Sequence, residues 1–584
     1  MIWNTIYRIQ ENISSNRYNW KHQVVFIVIL LCVVLYLPIM WGKAEQVDRA
    51  FDGKIARWDD RMYQAQAINL IHGYGYSTFP HLPKEKYYLT VPLDSGVGYF
   101  TFKFPPGVSF MMGAAYRLLG EKTLSVRLMY ATIIWFTAVL LLLAGYSMAG
   151  WLGAVAGGLV GFYYMVQGGG VAGAEGFYNG RTLSEPIAVL WISFFTLLFT
   201  LYLKKDLPLY LYLSAISLIG FVFTRANFLT VIPLLYLFLY LTRRNLTQLS
   251  IFIAITTIPI IAWSIYASMT TKHLIIFTTQ GEQDFPLFNN MDVITGFGPE
   301  EINQGNWQPG FAYTKKGEIY IDGYNFAGPN ENGWIKGLSF WINNPDKIPL
   351  LFYVKIRSSF WYNDIPESIP YNDGRVYMFG VGFLLASLGV HTPVRRFKFF
   401  DLISSSYVLT IQLALLCMLL IVGNNVPFKA ILLIWGVIFT IAIIRPYGDI
   451  YRPAFQTPTW FLLFLISYLI STILFGGYVR FHFPIDPPLM LISIIGLFTL
   501  VFELWKKDPW LSILFLIITA YPLLIVFDFF IDWLLTKILL LTTLDRSPIT
   551  ISGKIETHCH KISEFEDATT IYLQSSLDNI WKRL

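Results

Sequence analysis

The chain has 584 residues, of which 55% are hydrophobic and only 14% are charged, and its formal net charge is +6. Soluble domains carry roughly 25% charged residues, and the apolar residues here collect into many runs of about 15–25 residues, the length with which an α-helix crosses a bilayer. This pattern excludes a soluble multidomain protein and predicts an all-α integral membrane protein. The basic residues are spread through the loops and form no stripe with interleaved aromatic residues, which argues against nucleic-acid binding.

The first predicted span is the apolar run 24–41, which follows a polar N-terminus with scattered basic residues. The run is long for a signal-peptide core and no small-residue cleavage site follows it, so it is interpreted as a span with a cytoplasmic N-terminus. With the later runs, the sequence predicts about 13 transmembrane helices, within a range of about 12–14. The further spans are 125–147, 151–167, 183–203, 208–223, 227–241, 249–268, 376–391, 402–422, 428–444, 458–475, 486–503 and 509–527.

The apolar segment 105–119 decides the topology, because counting it as a span would invert every later one. If it does not span, the basic pairs Lys204-Lys205, Arg243-Arg244 and Lys506-Lys507 fall on cytoplasmic links, as the positive-inside rule requires. The segment is therefore predicted to be an interfacial helix on the outer side, started by its two prolines.

This topology divides the chain into four predicted parts. They are an N-terminal transmembrane module 1–270, an extracytoplasmic loop 271–375, C-terminal transmembrane helices 376–535 and a polar tail 536–584. The module includes a first external loop, 43–104. The length and mixed polarity of 271–375 predict a small extracytoplasmic cap, and the side of the membrane on which the tail lies stays open.

Two adjacent acids, Asp59 and Asp60, open a short predicted amphipathic helix just outside the first span, and Gly73 can close it. The positive end of the helix macrodipole favours ionised carboxylates, and an ionised carboxylate can act as a general base on an attacking hydroxyl. A helix cap beside a solvated acid explains such a pair equally simply, and that alternative stays open. The predicted apolar face consists of Trp58, Met62, Ala65, Ile68 and Ile71.

Basic residues on the same predicted side can hold a lipid phosphate. Lys103 precedes a Pro-Pro turn, and Arg480 and His482 lie in the link between two late spans. Arginine gives a phosphate bidentate contact and lysine a point charge, whereas snorkelling to lipid headgroups is the ordinary alternative. Arg181 and Glu185 lie on a glycine-rich outer turn that lacks nucleotide-binding spacing.

Other polar and aromatic groups of the chain carry weaker signals. The cap tryptophans can stack on sugar rings but are more often core or interface anchors; they are Trp307, Trp334, Trp341 and Trp361. The run from His558 to His560 lacks a distant second pair of ligands, so no metal site and no cofactor are predicted. Three scattered cysteines do not form a disulfide framework.

In their order along residues 20–500, these motifs resemble the GT-C class of polytopic glycosyltransferases that use lipid-linked sugars. The nearest branch resembles the bacterial relatives of protein O-mannosyltransferases and of the aminoarabinose transferase acting on lipid A. Asp60 stands where glutamate is commoner in that family, and Phe104 separates Lys103 from the prolines. The matching residues are Asp59 to Tyr63 with Gly73, Lys103 to Gly107, Leu119-Gly120, Arg127-Leu128, Ser184-Glu185, Asn344-Pro345 with Lys355 and Trp361, and Arg480 to Pro487.

The resemblance implies a glycosyltransferase of the bacterial cytoplasmic membrane that acts on its extracytoplasmic side. It would move a sugar from a polyprenyl-phosphate donor to a glycan, lipid or protein acceptor with inversion, Asp59 serving as general base and Asp60 orienting the acceptor. The residues that would hold the departing phosphate are Lys103, Arg480 and His482. Those that would contact the substrate are Tyr63, Arg181, Glu185 and Arg225.

Two other functions fit a polytopic protein. A transporter or flippase usually carries charges at mid-span and often contains repeats, whereas the predicted spans are nearly free of mid-span charge and show no convincing repeat of the hydropathy pattern. A polymerase or ligase of lipid-linked glycans would share the outer site but act on diphosphate carriers. The order of the motifs favours the transferase.

Overall fold

The structure is a computed structural model of the chain. The residues it describes are 23–53, 58–76, 102, 104–166, 168–169, 177, 180, 182–243, 245–271, 274–278, 281, 285, 289, 333–352, 355, 460–475, 483–492 and 494–495. All of them belong to the first of two compact units, Met1–Ser512. Every regular element among them is helical, which confirms the predicted all-α class for this part of the chain.

The described helices follow in chain order. They are α1 Gln23–Ala50, α2 Trp58–Ile71, α3 Gly107–Leu119, α4 Thr123–Val166, α5 Glu185–Lys205, α6 Pro208–Val222, α7 Val231–Arg243, α8 Leu246–Thr271, α9 Gly333–Asn343 and α10 Phe461–Phe475. Single 3-10 turns occupy Ala226–Phe228, Pro345–Lys347 and Phe483–Ile485.

The long apolar helices support the prediction of a membrane protein. Within the described ranges, the helices that are long and apolar enough to cross a bilayer are α1, α4, α5 and α8. The helices α6, α7 and α10 are apolar but shorter, and they coincide with three further predicted spans. The predicted spans from 376 to 444 and at 509–527, and the tail 536–584, lie outside the described residues.

The 44-residue helix α4 consists of two arms that reverse direction at Ala149 and Gly150, whose backbone angles are not helical. The arms pack backbone against backbone, because a Cβ atom added to any of four glycines would strike a carbonyl oxygen of the other arm. Small residues permit this approach between helices in lipid. The two arms correspond to the predicted spans 125–147 and 151–167. The facing pairs are Gly145 with Gly153, Leu141 with Gly157, and Ala138 with Gly161.

Helix α3 begins at Gly107, directly after the two prolines, as the sequence predicts. The Gly107 N–H donates to the Phe223 carbonyl at 2.7 Å, which fixes the start of α3 on the end of α6. A Cβ at Gly107 would lie 2.8 Å from Thr224 Oγ1, so only glycine allows this approach. With 13 residues, α3 is too short to cross a bilayer.

Helix α2 is buried on almost every side, which corrects the amphipathic helix that the sequence predicts. Three of the expected apolar residues, Met62, Ala65 and Ile68, are buried. The polar residues Gln64, Gln66 and Asn69 are fully buried as well. Helix α3 supplies partners for this polar side: Gln64 donates to the Tyr116 hydroxyl at 2.9 Å, and Ser109 donates to Gln66 at 2.8 Å. The prediction was wrong because α3 covers a face that the pattern leaves to solvent.

Candidate active site

Asp60 lies in the first turn of α2 and has no exposed surface. Its Oδ2 accepts a hydrogen bond from the backbone N–H of Thr182, 3.2 Å away, in the link just ahead of α5. The alternative of a solvated acid is therefore wrong for Asp60, which joins two segments 122 residues apart in the chain. Asp59 precedes it on the same helix, and its side chain lies outside the described residues.

A buried guanidinium lies between the end of α1 and the start of α2. Arg127, in the first turn and a half of α4, pairs through Nε with Asp48 Oδ1 at 2.9 Å and lies 5.4 Å from the centroid of the Phe51 ring. It also interacts electrostatically with Asp60. A buried charge needs such compensation, so Arg127 neutralises carboxylates from both helices and holds them together.

Tyr130 lies three residues after Arg127 and therefore on the same face of α4. Its buried hydroxyl lies 2.8 Å from the Thr182 carbonyl oxygen and 2.7 Å from that of Leu183, and it donates its single proton between them. Asp60, Tyr63 and Glu185 all lie within electrostatic range of this phenol. One face of α4 thus fixes both the start of α2 and the link that leads into α5.

Glu185 and Arg225, two of the predicted substrate-contacting residues, form an ion pair with each other. The Glu185 side chain is 3% exposed and that of Arg225 is 11% exposed. Glu185 is also the first residue of α5, where the helix macrodipole favours a negative charge. The pair therefore ties the start of α5 to the end of α6, beside the residues on which α3 docks.

The proline turn before α3 is held from two sides. The Tyr76 hydroxyl donates to the Phe104 carbonyl at 3.0 Å, and the rings of Tyr63 and Phe104 lie 5.1 Å apart. Burial raises the pKa of the Tyr76 phenol well above its usual value, so this group acts as a neutral donor. Tyr63 belongs to α2, the helix that carries Asp60. Its contact with Phe104 therefore packs the proline turn, which follows Lys103, directly against α2.

Four predicted site residues lie outside the described residues, namely Lys103, Arg181, Arg480 and His482, and so do Trp307 and Trp361. The two described cap tryptophans are packing residues. The Trp334 ring lies 5.0 Å from the Phe285 ring, and Trp341 Nε1 donates to Asn289 at 2.8 Å. These contacts are those of anchoring residues, but both side chains stay partly exposed, so stacking on a sugar remains an alternative for them.

Sequence reasoning missed Asp48, Tyr130 and Thr182 as parts of the site. For Asp48 a signal existed, since Arg127 lies near the end of a predicted span and a charge there needs a partner. For Thr182 there was none, because its contact with Asp60 uses the backbone N–H, which every non-proline residue carries.

The described part of this cluster can fix a carboxylate and order the segments around it. Groups of three or more histidine, cysteine, aspartate or glutamate side chains that could hold a metal ion do not occur among the described residues.

A scan against protein-family models finds no match for this chain, and a search of the curated proteins finds none either.

Proposed function

We propose that this chain is a membrane glycosyltransferase that moves a sugar from a polyprenyl-phosphate donor to an extracytoplasmic acceptor with inversion. The observation that carries the proposal is the burial of Asp60 at the start of α2, with its carboxylate on Thr182 N–H. Such anchoring holds the adjacent acid, Asp59, at a fixed point of the backbone, and a general base must be held in this way to be effective.

In the proposed reaction, an acceptor hydroxyl or amine attacks the anomeric carbon from the face opposite the phosphate. The bond between that carbon and the phosphate oxygen breaks, the lipid phosphate leaves, and the acceptor proton passes to the Asp59 carboxylate. One direct displacement inverts the anomeric configuration. Asp60 would orient the acceptor through the segment it fixes.

The departing phosphate would be held by Lys103, Arg480 and His482, since charge-assisted hydrogen bonds from such groups suit phosphate oxygens. In this proposal α2 and α3 are interfacial helices on the outer side of a chain of about 13 spans, in a bacterial cytoplasmic membrane. Glu185 and Arg225, which pair with each other, would shape the wall of the site together with Tyr63. Arg181 would approach the substrate from the outer turn.

The proposal is tested by sugar transfer from a radiolabelled polyprenyl-phosphate hexose, with native membrane extract as the source of acceptors. We expect Asp59→Asn to lower the transfer rate by at least about 100-fold, as loss of a general base does. Asp52→Asn is the matched control, because Asp52 is an exposed acid in the same external loop and asparagine tolerates its positive φ.

Equal transfer by the wild type and Asp59→Asn would exclude Asp59 as the base. A wild type that transfers no sugar from any carrier tested, yet moves labelled substrate across proteoliposomes, would favour the transporter or flippase instead. Transfer that requires a diphosphate carrier would favour a polymerase or ligase.

A further inference from the structure

After α8 the chain turns back along the helix that it has just left. The Ile275 N–H donates to the Ser268 hydroxyl at 2.9 Å, and Trp263 Nε1 donates to the Phe277 carbonyl at 2.9 Å. The partner in α8 therefore moves toward the start of the helix as the chain advances, so this stretch runs antiparallel to α8. We name residues 274–277 the return segment.

The side chains of the return segment alternate between two sides. Ile275 and Phe277 are buried, whereas Leu274 is 85% exposed and Ile276 is 66% exposed. This alternation is that of an extended chain. The return segment thus has one side on the protein and one apolar side that the described chain leaves uncovered.

The uncovered side continues an apolar stripe of α8. Large exposed apolar residues recur along this helix at spacings of three and four, which places them on one face; they are Ile258, Ile261, Ile265 and Met269. Because α8 is long and apolar enough to cross a bilayer, this face is the one that meets lipid. Met269 directly follows Ser268, which holds Ile275, so Leu274 and Ile276 lie beside the outer end of the stripe.

The backbone of the return segment is bonded as a chain in lipid requires. Lipid offers no hydrogen-bond partners, so the protein itself must satisfy polar backbone groups there, whereas water satisfies such groups in an aqueous loop. Three successive carbonyls accept from α8 side chains, and the predicted span 249–268 contains all three donors. The pairs are Ile275 with Ser268 at 3.2 Å, Ile276 with Ser264, and Phe277 with Trp263 at 2.9 Å. Ser264 shares its hydroxyl proton with the Ile260 carbonyl of α8.

The buried side of the return segment reaches the candidate site through aromatic rings. The Phe277 ring lies 5.3 Å from that of Phe223, whose carbonyl accepts from Gly107 at the start of α3. The Trp263 ring lies 5.0 Å from that of Tyr76, the phenol that holds the proline turn. The same few residues therefore contact the return segment on one side and the site's framework on the other.

We propose that the return segment lies in the acyl layer of the membrane, with Leu274 and Ile276 in contact with lipid chains and with Ile275 and Phe277 on the protein. It forms a lipid-facing wall beside the rings that hold the proline turn. The predicted cap 271–375 accordingly begins inside the membrane. This placement holds for a transferase and for a transporter alike.

The test places nitroxide labels on Leu274→Cys and Ile276→Cys in the full-length protein in lipid nanodiscs, with the three native cysteines replaced by alanine. Collisions with oxygen, which enters lipid, are compared with collisions with a hydrophilic nickel complex. Ile258→Cys on the α8 stripe is the control for lipid. Asp346→Cys is the control for water, because Asp346 belongs to the predicted cap and its side chain is 68% exposed.

We expect the ratio of oxygen to nickel collisions at both labels in the return segment to exceed that at Asp346→Cys by at least about tenfold, because the hydrocarbon layer holds almost no water. Nickel collisions as frequent as those at Asp346→Cys would place the segment in water and overturn the proposal. Labels that neither reagent reaches would show that protein, such as a second copy of the chain, covers the segment, and would overturn it too.

A second variant tests the role of the serine. Ser268→Ala, combined with Ile276→Cys, should raise nickel collisions at the label by at least about threefold, because the freed polar groups of Ile275 then need water. Thr270→Ala is the matched control, since the Thr270 hydroxyl donates within α8, to the Tyr266 carbonyl at 2.8 Å. Equal nickel collisions in the two variants would overturn the role of Ser268.

If the cysteine variants fail to fold, the wild type is irradiated in bilayers whose lipids carry a diazirine in the acyl chain. Peptides that contain the return segment should then carry lipid, as should those that contain Ile258, whereas peptides with Asp346 should carry none. A return segment without label would overturn the proposal.

Discussion

Replacing Arg127 by methionine would leave two carboxylates from different helices without the guanidinium that lies between them. Arg127 is 1% exposed at its side chain and pairs with Asp48 at 2.9 Å, while Asp60 interacts with it electrostatically and is wholly buried. Methionine keeps much of the volume of the arginine stem, so the change removes charge and hydrogen bonding more than packing.

The expected loss of stability follows from the burial of the partners. Removing one member of a buried ion pair costs about 3–5 kcal/mol, because the other charge stays behind without compensation. The Asp48 side chain keeps 21% of its surface exposed and can recover some hydration, which places this variant near the lower limit, about 3 kcal/mol. Asp60 cannot recover hydration, since it has no exposed surface.

Arg49→Met is the matched control. Arg49 pairs with Glu45 at 3.4 Å, but the two side chains are 80% and 52% exposed, and an exposed pair of this kind contributes under about 1 kcal/mol. Unfolding in detergent is followed by intrinsic fluorescence for five proteins. They are the wild type, Arg127→Met, Arg49→Met, Asp48→Asn and the double variant Asp48→Asn/Arg127→Met. A coupling energy of about 1–3 kcal/mol between Asp48 and Arg127 is expected for residues in contact. If Arg127→Met unfolds no more easily than Arg49→Met, Arg127 does not hold α1 and α2 together.

Two further predictions concern packing and buried polarity. Gly157→Ala should disrupt the α4 hairpin and lower the yield of monodisperse protein in size-exclusion chromatography, because the new Cβ would collide with the backbone of Leu141. The control Gly42→Ala, in open space on α1, should match the wild type. Equal yields of the Gly157→Ala and Gly42→Ala proteins would refute the close contact. Tyr116→Phe removes the acceptor of the buried Gln64 amide and should cost about 1–3 kcal/mol of unfolding free energy. The control Tyr240→Phe, at a 52% exposed position, should lower the unfolding free energy by almost nothing. Similar losses in both variants would contradict the hydrogen bond between Gln64 and Tyr116.

Hydropathy and turn chemistry were sufficient to predict much of the helical framework. The run at 183–203 overlaps nearly all of α5, the run at 249–268 lies within α8, and the pair at 125–147 and 151–167 corresponds to the two arms of α4. These features depend on residues close together in sequence. The Pro-Pro-Gly start of α3 was predictable for the same reason, because its geometry is local.

The polar interior was not predictable in the same way. The partner of Gln64 is Tyr116, 52 residues away, and that of Asp60 is a backbone N–H 122 residues away. A periodic pattern tells which residues share a face of one helix, but it does not tell which other helix covers that face. For this reason α2 was expected to be half solvated, and Asp60 was left between a catalytic residue and a solvated cap.

The charges at the described part of the site limit how a phosphate could be bound there. Two guanidiniums, Arg127 and Arg225, meet three carboxylates, those of Asp48, Asp60 and Glu185. Each guanidinium already faces an acid, so this cluster would repel a lipid phosphate more than attract it. A donor of the proposed kind would have to be held by other cations, and the sequence predicts Lys103, Arg480 and His482 on the same side. In the proposed reaction, Asp59 would then act on the acceptor and the three basic residues on the departing phosphate, while the buried acids would hold the segments around them.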